Sequence, residues 1–159
     1  MFVAYFGGLQ DVLLYPKYFL TVPFSTACKT YFKILCKVTS GRRLAYVKPR
    51  IGMNAFGSAC VTYEGVGGTK KWERIETCGP KVVENLCQSI SRDLLCHAMQ
   101  QLESAGCRIV MHIHDEVVIE APKAMEVDEV GRIMSIVPSW ADGLRLSAAG
   151  YEAEFYMKD

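Results

Sequence analysis

The chain has 159 residues and a formal net charge of +1, and half of its residues are hydrophobic. This length fits one domain with a real core, and the composition excludes a disordered or fibrous protein. With so little net charge, any affinity for a nucleic acid would have to come from a local patch. Seven cysteines without a CxxC pair favour a reduced, cytosolic setting, and no apolar stretch approaches the ~20 residues that span a bilayer.

The first half of the chain divides into a lead-in and a run of strands. Residues 1–31 carry aromatics and prolines without a stable period, so they are left as an unassigned lead-in segment. From Phe32, the sequence predicts two strands around a Ser40-Gly41 turn. A short strand follows in "SACVTYEG", and another in "TKKWERIE", where Trp72 and Arg74 would share one face.

A long helix is predicted after these strands. Pro80 is placed to open it and Gly106 to close it, about 24 residues later. Its apolar residues recur at helical spacing and make one stripe: Val83, Leu86, Cys87, Ile90, Leu94 and Ala98.

The last third predicts a hairpin, a shorter helix and a final strand. "CRIVMHIH" and "VVIEAP" are the two hairpin strands. The shorter helix would turn these residues inward: Met125, Val130, Ile133 and Met134. The predicted fold class is α+β, with an antiparallel sheet and a long and a shorter helix packed on one side of it.

Two adjacent carboxylates, Asp115 and Glu116, stand at the tip of this hairpin. Turn chemistry alone could explain them, because Asp is favoured in turns and an exposed Glu is solvated. The flanking strands are strongly apolar, however, and two anionic groups close to a packed sheet are unfavourable unless a cation neutralises them. Mg²⁺ takes carboxylate oxygens, which points to phosphoryl or nucleotidyl transfer.

Two histidines precede the carboxylates and raise a different possibility. His112 and His114 are two apart on a strand, so they share a face and could form a zinc pair with Asp115. A zinc-dependent hydrolase is therefore one alternative. Its weakness is that His97 and Cys107, the nearby candidates for a further ligand, have no recognisable spacing.

Polar side chains form a second stripe on the long helix. Lys81, Asn85, Gln88 and Arg92 recur every three or four residues and include no acid. Such a stripe is often only a solvated face, yet Gln and Arg can reach base edges, and Lys and Arg contact phosphates. Lys71, in the strand before the helix, adds to the candidate nucleic-acid contacts.

Several of these segments together resemble family A (DNA polymerase I-like) DNA polymerases. "HIHDEVVIE" resembles the third signature motif, a His-Asp-Glu turn in the palm subdomain, and "VENLCQSISRDLLCHAM" resembles the palm helix before it. "SGRRLAYVKPRI", "YEG" and "TKKWERIETCGPK" are similar to the region upstream in phage-type members, and "GLRLSAAGYEAEFYMKD" to their last strand. The resemblance covers residues 32–159, which would be a partial palm domain. It also implies that the protein works in the cytoplasm of a bacterial or phage-infected cell.

The resemblance implies roles for particular residues in a two-metal Mg²⁺ site. Asp115 would ligate metal and help to activate the primer 3′-hydroxyl, with Glu116 beside the metals in an ancillary role. His114 would lie near the primer terminus, and Gln88 would approach the minor groove of the primer–template DNA. Arg92 is assigned to DNA contact from its helical phase with Gln88. The substrates would be deoxynucleoside triphosphates.

Two family motifs are not found in this sequence. One is the strand that supplies the other metal-ligating aspartate, and the second is the fingers helix that binds the incoming nucleotide. The isolated chain is therefore expected to be inactive, and a separate chain carrying these motifs is a candidate partner. A non-catalytic module that binds DNA or a partner protein is the remaining alternative.

Overall fold

The computed structural model describes residues 2–7, 33–122 and 124–156. Apart from residues 2–7, the predicted lead-in segment lies outside these ranges, and for residues 2–7 the backbone pairing alone is described. The elements are β1 Phe2–Gly7, β2 Lys33–Lys37, β3 Arg43–Met53, β4 Ala59–Val66, β5 Trp72–Thr77, α1 Gly79–Ser104, β6 Arg108–Ile113, β7 Glu116–Glu120, α2 Val127–Met134, a short 3₁₀ turn Ser139–Ala141, and β8 Ser147–Glu152.

The predicted α+β class is confirmed, with two four-stranded antiparallel sheets in place of the one expected. One sheet has the strand order β6-β7-β1-β8 and the other β2-β3-β4-β5. The chain divides into two compact units, with a boundary between Ser89 and Ile90 inside α1. We call residues 33–89 the central unit, and residues 2–7 with 90–156 the C-terminal unit.

The core of the C-terminal unit lies between its sheet and two helices. Val117 and Ile119 of β7 are fully buried and share one face of the strand. The side chains that complete this cluster come from α1, α2 and the residue before β6: Leu95, Ala98, Leu102, Val130, Met134 and Cys107. Both helices therefore pack on the same side of this sheet, as predicted. Each fully buried Leu, Ile, Val or Met contributes roughly 1.5–3 kcal/mol through removal from water.

The long helix α1 follows the sequence prediction closely. Pro80 is its second residue, and Gly106 ends it with a φ of +86°, a conformation that favours glycine. Leu86, Ile90, Leu94 and Ala98 of the predicted apolar stripe are all buried. The other two residues of that stripe are less so, because Cys87 is half-buried and Val83 is exposed.

A close approach positions α2 against the edge strand of its sheet. A Cβ atom at Gly131 would lie 3.1 Å from the carbonyl oxygen of Ala148 in β8, so a larger residue would push the helix away. The predicted inner face of the shorter helix is confirmed at Val130 and Met134, which are fully buried, and at Ile133, which packs against the core. Met125 also packs against the core, but it lies before the first residue of α2. In the described ranges, no helix combines the length and apolar character needed to cross a bilayer.

Strand β1 was not anticipated from the sequence. It pairs with β7 on one side, where Tyr5 lies opposite Glu116, and with β8 on the other. It therefore fills the position between the strand that carries the acidic residues and the last strand of the chain.

Candidate nucleotidyl-transfer site

The predicted hairpin is confirmed, and its tip is a turn of two residues, His114 and Asp115. Strands β6 and β7 pair in antiparallel register, with Ile113 opposite Glu116 as the pair that closes the turn. His114 has a φ of +52°, in the left-handed region that non-glycine residues rarely adopt. When the first residue of a two-residue hairpin turn has a positive φ, that residue is usually glycine. The tip of this hairpin therefore holds a strained residue directly before its two carboxylates.

The two carboxylates are half-buried and differ in their contacts. Glu116 accepts a hydrogen bond of 3.2 Å from the hydroxyl of Tyr156, and this contact is partly buried. Glu116 begins β7 on the strand face opposite to Val117, whereas Asp115 lies in the turn itself. No lysine or arginine in the described ranges forms an ion pair with either carboxylate.

These contacts allow a test of whether the residues fit Mg²⁺. Adjacent carboxylate oxygens that no described cation neutralises are the ligand type that Mg²⁺ prefers. In the part of the chain that the structure describes, however, no three His, Cys, Asp or Glu side chains converge as a metal site would require. Asp115 and Glu116, which we call the acidic turn, would therefore supply only part of a magnesium site.

His112 lies against Arg92 on α1. Nη1 of Arg92 is 3.2 Å from Nδ1 of His112, and Nη2 is 3.5 Å from Nε2. Because a guanidinium can only donate, a ring nitrogen that bonds to it uses the lone pair that a metal would need. The zinc site considered from the sequence is therefore not assembled by His112, His114 and Asp115 as they stand here.

The remaining candidate residues lie on α1 and before β5. Gln88, Arg92 and Lys71 are exposed, while Asn85 is half-buried and donates its side-chain amide to the hydroxyl of Tyr46 at 3.2 Å. Lys81 forms an exposed ion pair of 2.9 Å with Glu84, one turn along the helix. Asn85 is thus engaged within the central unit, whereas the side chains of Gln88 and Lys71 are open to solvent.

Tyr156 is a site residue that the sequence did not reveal. It follows β8 and reaches Glu116 from 40 positions away, so no local spacing connects the two. Burial raises the pKa of its phenol, and the negative charge and hydrogen bond of Glu116 raise that pKa further. The hydroxyl therefore stays protonated, and able to donate, at neutral pH.

Comparison with curated proteins identifies a phage enzyme. The chain is 43% identical over 128 residues to the DNA polymerase of Bacillus phage SP02. The match covers 79% of this chain, which spans a fifth of the length of that relative. No protein-family model and no solved structure matches the chain. The similarity supports the resemblance to a DNA polymerase drawn from the motifs.

Proposed function

We propose that this chain is the palm portion of a family A DNA polymerase and contributes to template-directed nucleotidyl transfer. Its substrates are deoxynucleoside triphosphates and primer–template DNA. The observation that carries the proposal is the 43% identity over 128 residues to a phage DNA polymerase. The tight hairpin that places Asp115 and Glu116 together at its tip supports it independently.

Asp115 and Glu116 have different roles in this proposal. Two bound Mg²⁺ ions would supply charge stabilisation for the attacking and leaving oxygens of the displacement. Asp115, whose side chain has no hydrogen bond to a described residue, would hold metal next to the primer 3′-hydroxyl. Glu116 has one oxygen engaged by Tyr156, which suits it to an ancillary position at the edge of the site. His114 contacts the primer terminus from the turn.

DNA contacts come from the exposed polar residues of α1 and from Lys71. Gln88 reads the minor groove of the duplex, and Arg92 contacts a phosphate one turn later. A guanidinium has five N–H donors, so its contact with His112 leaves donors for DNA. Lys81 adds a phosphate contact after leaving Glu84, which costs little because both side chains of this ion pair are exposed. Asn85 takes part only through an exchange of its bond to Tyr46.

The rest of the catalytic set lies outside the described residues. A further metal-ligating carboxylate and the residues that bind the incoming nucleotide come from other polymerase segments, on the same polypeptide or on a separate chain. Since catalytic groups act as a unit, the 159-residue chain is inactive without them.

A segment transplant tests this proposal. The 128-residue segment of the phage SP02 polymerase that matches this chain is replaced by the corresponding residues, and primer extension is measured with Mg²⁺. We expect the transplanted enzyme to extend primers, and the isolated chain to extend none. A transplanted enzyme that folds and binds primed DNA but does not extend it would contradict the proposal, as would extension by the purified chain alone.

A second candidate is a non-catalytic nucleic-acid-binding module. It is favoured by the positive charge of residues 33–89, which contain ten Lys and Arg but only four Glu and no Asp. Under this candidate, Arg92→Ala and Lys71→Ala weaken duplex binding and lower its salt dependence by about one unit of slope each, while the transplanted enzyme shows no synthesis.

A further inference from the structure

The overall charge of +1 hides a strong separation of charge between the two units. Residues 33–89 carry a net charge of +6, whereas residues 90–156 carry eleven Asp and Glu against five Lys and Arg. The acidic turn lies in the negative part of the chain. We therefore expect a surface that attracts polyanions on the central unit, whose residues are distant in sequence from the proposed catalytic residues.

The register of the central sheet defines the face opposite to the one on which Tyr46 bonds to Asn85 of α1. Lys33, Val47, Glu64 and Arg74 lie opposite one another in a row that crosses all four strands. Tyr46, which accepts the hydrogen bond from α1, is one residue from Val47 and therefore points to the other face. We call the face that carries this row the basic face.

Two cations stand opposite each other on the basic face. Lys37 and Arg43 form the last cross-strand pair of β2 and β3, and both are exposed. Arg43 lies four residues from Val47 along β3, so its side chain is on the same face. Like charges directly opposite each other on a sheet are destabilising, and a bound anion would relieve that repulsion.

An exposed aromatic residue lies on the same face. Trp72 is two residues from Arg74 on β5, and it is 61% exposed. Its N–H donates to Oε2 of Glu64 at 3.4 Å, and Glu64 also pairs with Lys48 at 2.9 Å and with Arg74 at 3.0 Å. The two cations neutralise Glu64, so it anchors the indole without leaving net negative charge on this face.

Arg74 ties this cluster to the backbone. Its Nη1 donates to the carbonyl oxygen of Lys48 at 3.2 Å and to Oγ1 of Thr62 at 3.1 Å. The guanidinium is thus held by three different groups, and Glu64 links it to the indole of Trp72. A ring with a hydrogen bond that favours one orientation loses less conformational entropy when a ligand stacks on it than an unbonded ring would.

From these contacts we propose that the basic face binds single-stranded nucleic acid. Lys37 and Arg43 contact phosphates, and Trp72 stacks on an unpaired base. Aromatic rings on positively charged surfaces bind single strands in this way without sequence preference, whereas the bases of a duplex are already stacked on each other. The proposed site uses none of the residues of the acidic turn and does not depend on the proposed function of that turn.

The test uses the 159-residue chain and a fluorescein-labelled oligothymidylate of about 20 nucleotides, with binding followed by anisotropy. Trp72→Ala should weaken binding roughly 5- to 150-fold, and Trp72→Phe should retain most of it. The matched control is Phe155→Ala, because Phe155 is an equally exposed aromatic residue of the C-terminal unit. Changing Lys37 and Arg43 together to Ala should reduce the salt slope by about 1.4.

A measurement on the unaltered ring guards against misfolding of the variants. In a Trp140→Phe background, the oligothymidylate should quench the fluorescence of Trp72. Equal affinity of Trp72→Ala and the parent chain for the oligothymidylate, or no change in the fluorescence of Trp72 when the oligothymidylate is added, would overturn the inference. Single-strand binding is measured without Mg²⁺ and without nucleotides, whereas the proposed function is measured as primer extension, so a failure of this inference is distinguishable from a failure of the proposed function.

Discussion

The hydroxyl of Tyr156 donates a hydrogen bond of 3.2 Å to Oε2 of Glu116. Glu116 stands at the start of β7, and Tyr156 follows the last strand of the chain. The bond fixes one oxygen of the second carboxylate of the acidic turn. The end of the chain therefore helps to set the geometry of the turn that we propose as a metal site.

Tyr156→Phe should weaken the response of the transplanted polymerase to Mg²⁺. Without the hydroxyl, the Glu116 carboxylate is free to reorient, and a hydrogen bond to a charged group is lost. Since the contact is only partly buried, we expect the Mg²⁺ concentration for half-maximal primer extension to rise about 2- to 10-fold. A metal titration of the extension rate measures it.

Phe155→Leu is the matched control for that change, because Phe155 is the adjacent aromatic residue and is exposed. It should leave the metal titration unchanged. If Tyr156→Phe also leaves it unchanged, Tyr156 does not position Glu116 for metal binding.

Zinc should be absent from the chain when it is purified without a chelator. Arg92 lies 3.2 Å and 3.5 Å from the two ring nitrogens of His112, so the one nitrogen of the neutral ring that has a lone pair accepts from the guanidinium, and no described group of three ligand side chains includes a histidine. Elemental analysis should find far less than one zinc per chain. Near-stoichiometric zinc that disappears in His112→Ala would restore the zinc hydrolase as the better account.

The stability of the central unit should depend on pH through Glu64. Hydrogen bonds from Lys48, Trp72 and Arg74, together with the charge of Lys48, hold the pKa of Glu64 below its usual value. A lowered pKa in the folded state stabilises the fold above the unfolded pKa, about 4.3, and this contribution is lost as pH falls through the folded pKa.

Glu64→Gln should therefore lower the melting temperature at pH 7 and have a smaller effect near pH 3. Thermal melts followed by the fluorescence of Trp72 measure this difference. High salt at pH 7 should also reduce it, because exposed ion pairs are screened. A difference that is the same at every pH would show that the ion pairs of Glu64 do not stabilise the unit.

Local sequence patterns predicted the elements in which apolar residues recur at a regular spacing. The apolar spacing of Leu86, Ile90 and Leu94 predicts α1, and the adjacent apolar strands predict the hairpin with Asp115 at its tip. Period two also places Trp72 and Arg74 on one face of β5, and the register confirms it. In each case the information lies within a few residues of the element.

Features that depend on long-range pairing could not be predicted in this way. Strand β1 pairs with residues more than 100 positions later, where Tyr5 lies opposite Glu116, and its own sequence has no clear alternation. The division into two sheets depends on which strands pair with each other, and the periodicity within a strand does not determine its partner. For the same reason, the contact of Tyr156 with Glu116 and that of Arg92 with His112 appear only when the fold brings them together.

Replacing the first carboxylate of the turn is the most direct measurement. Asp115→Asn in the transplanted polymerase keeps the size of the side chain and removes its charge. We predict that the rate of Mg²⁺-dependent primer extension falls by about 10³-fold or more. Glu120→Gln is the control, since Glu120 ends β7, the strand that follows Asp115, and forms an exposed pair with Arg108, and it should retain nearly full activity. A folded Asp115→Asn enzyme that extends primers within about tenfold of the parent rate would contradict the account.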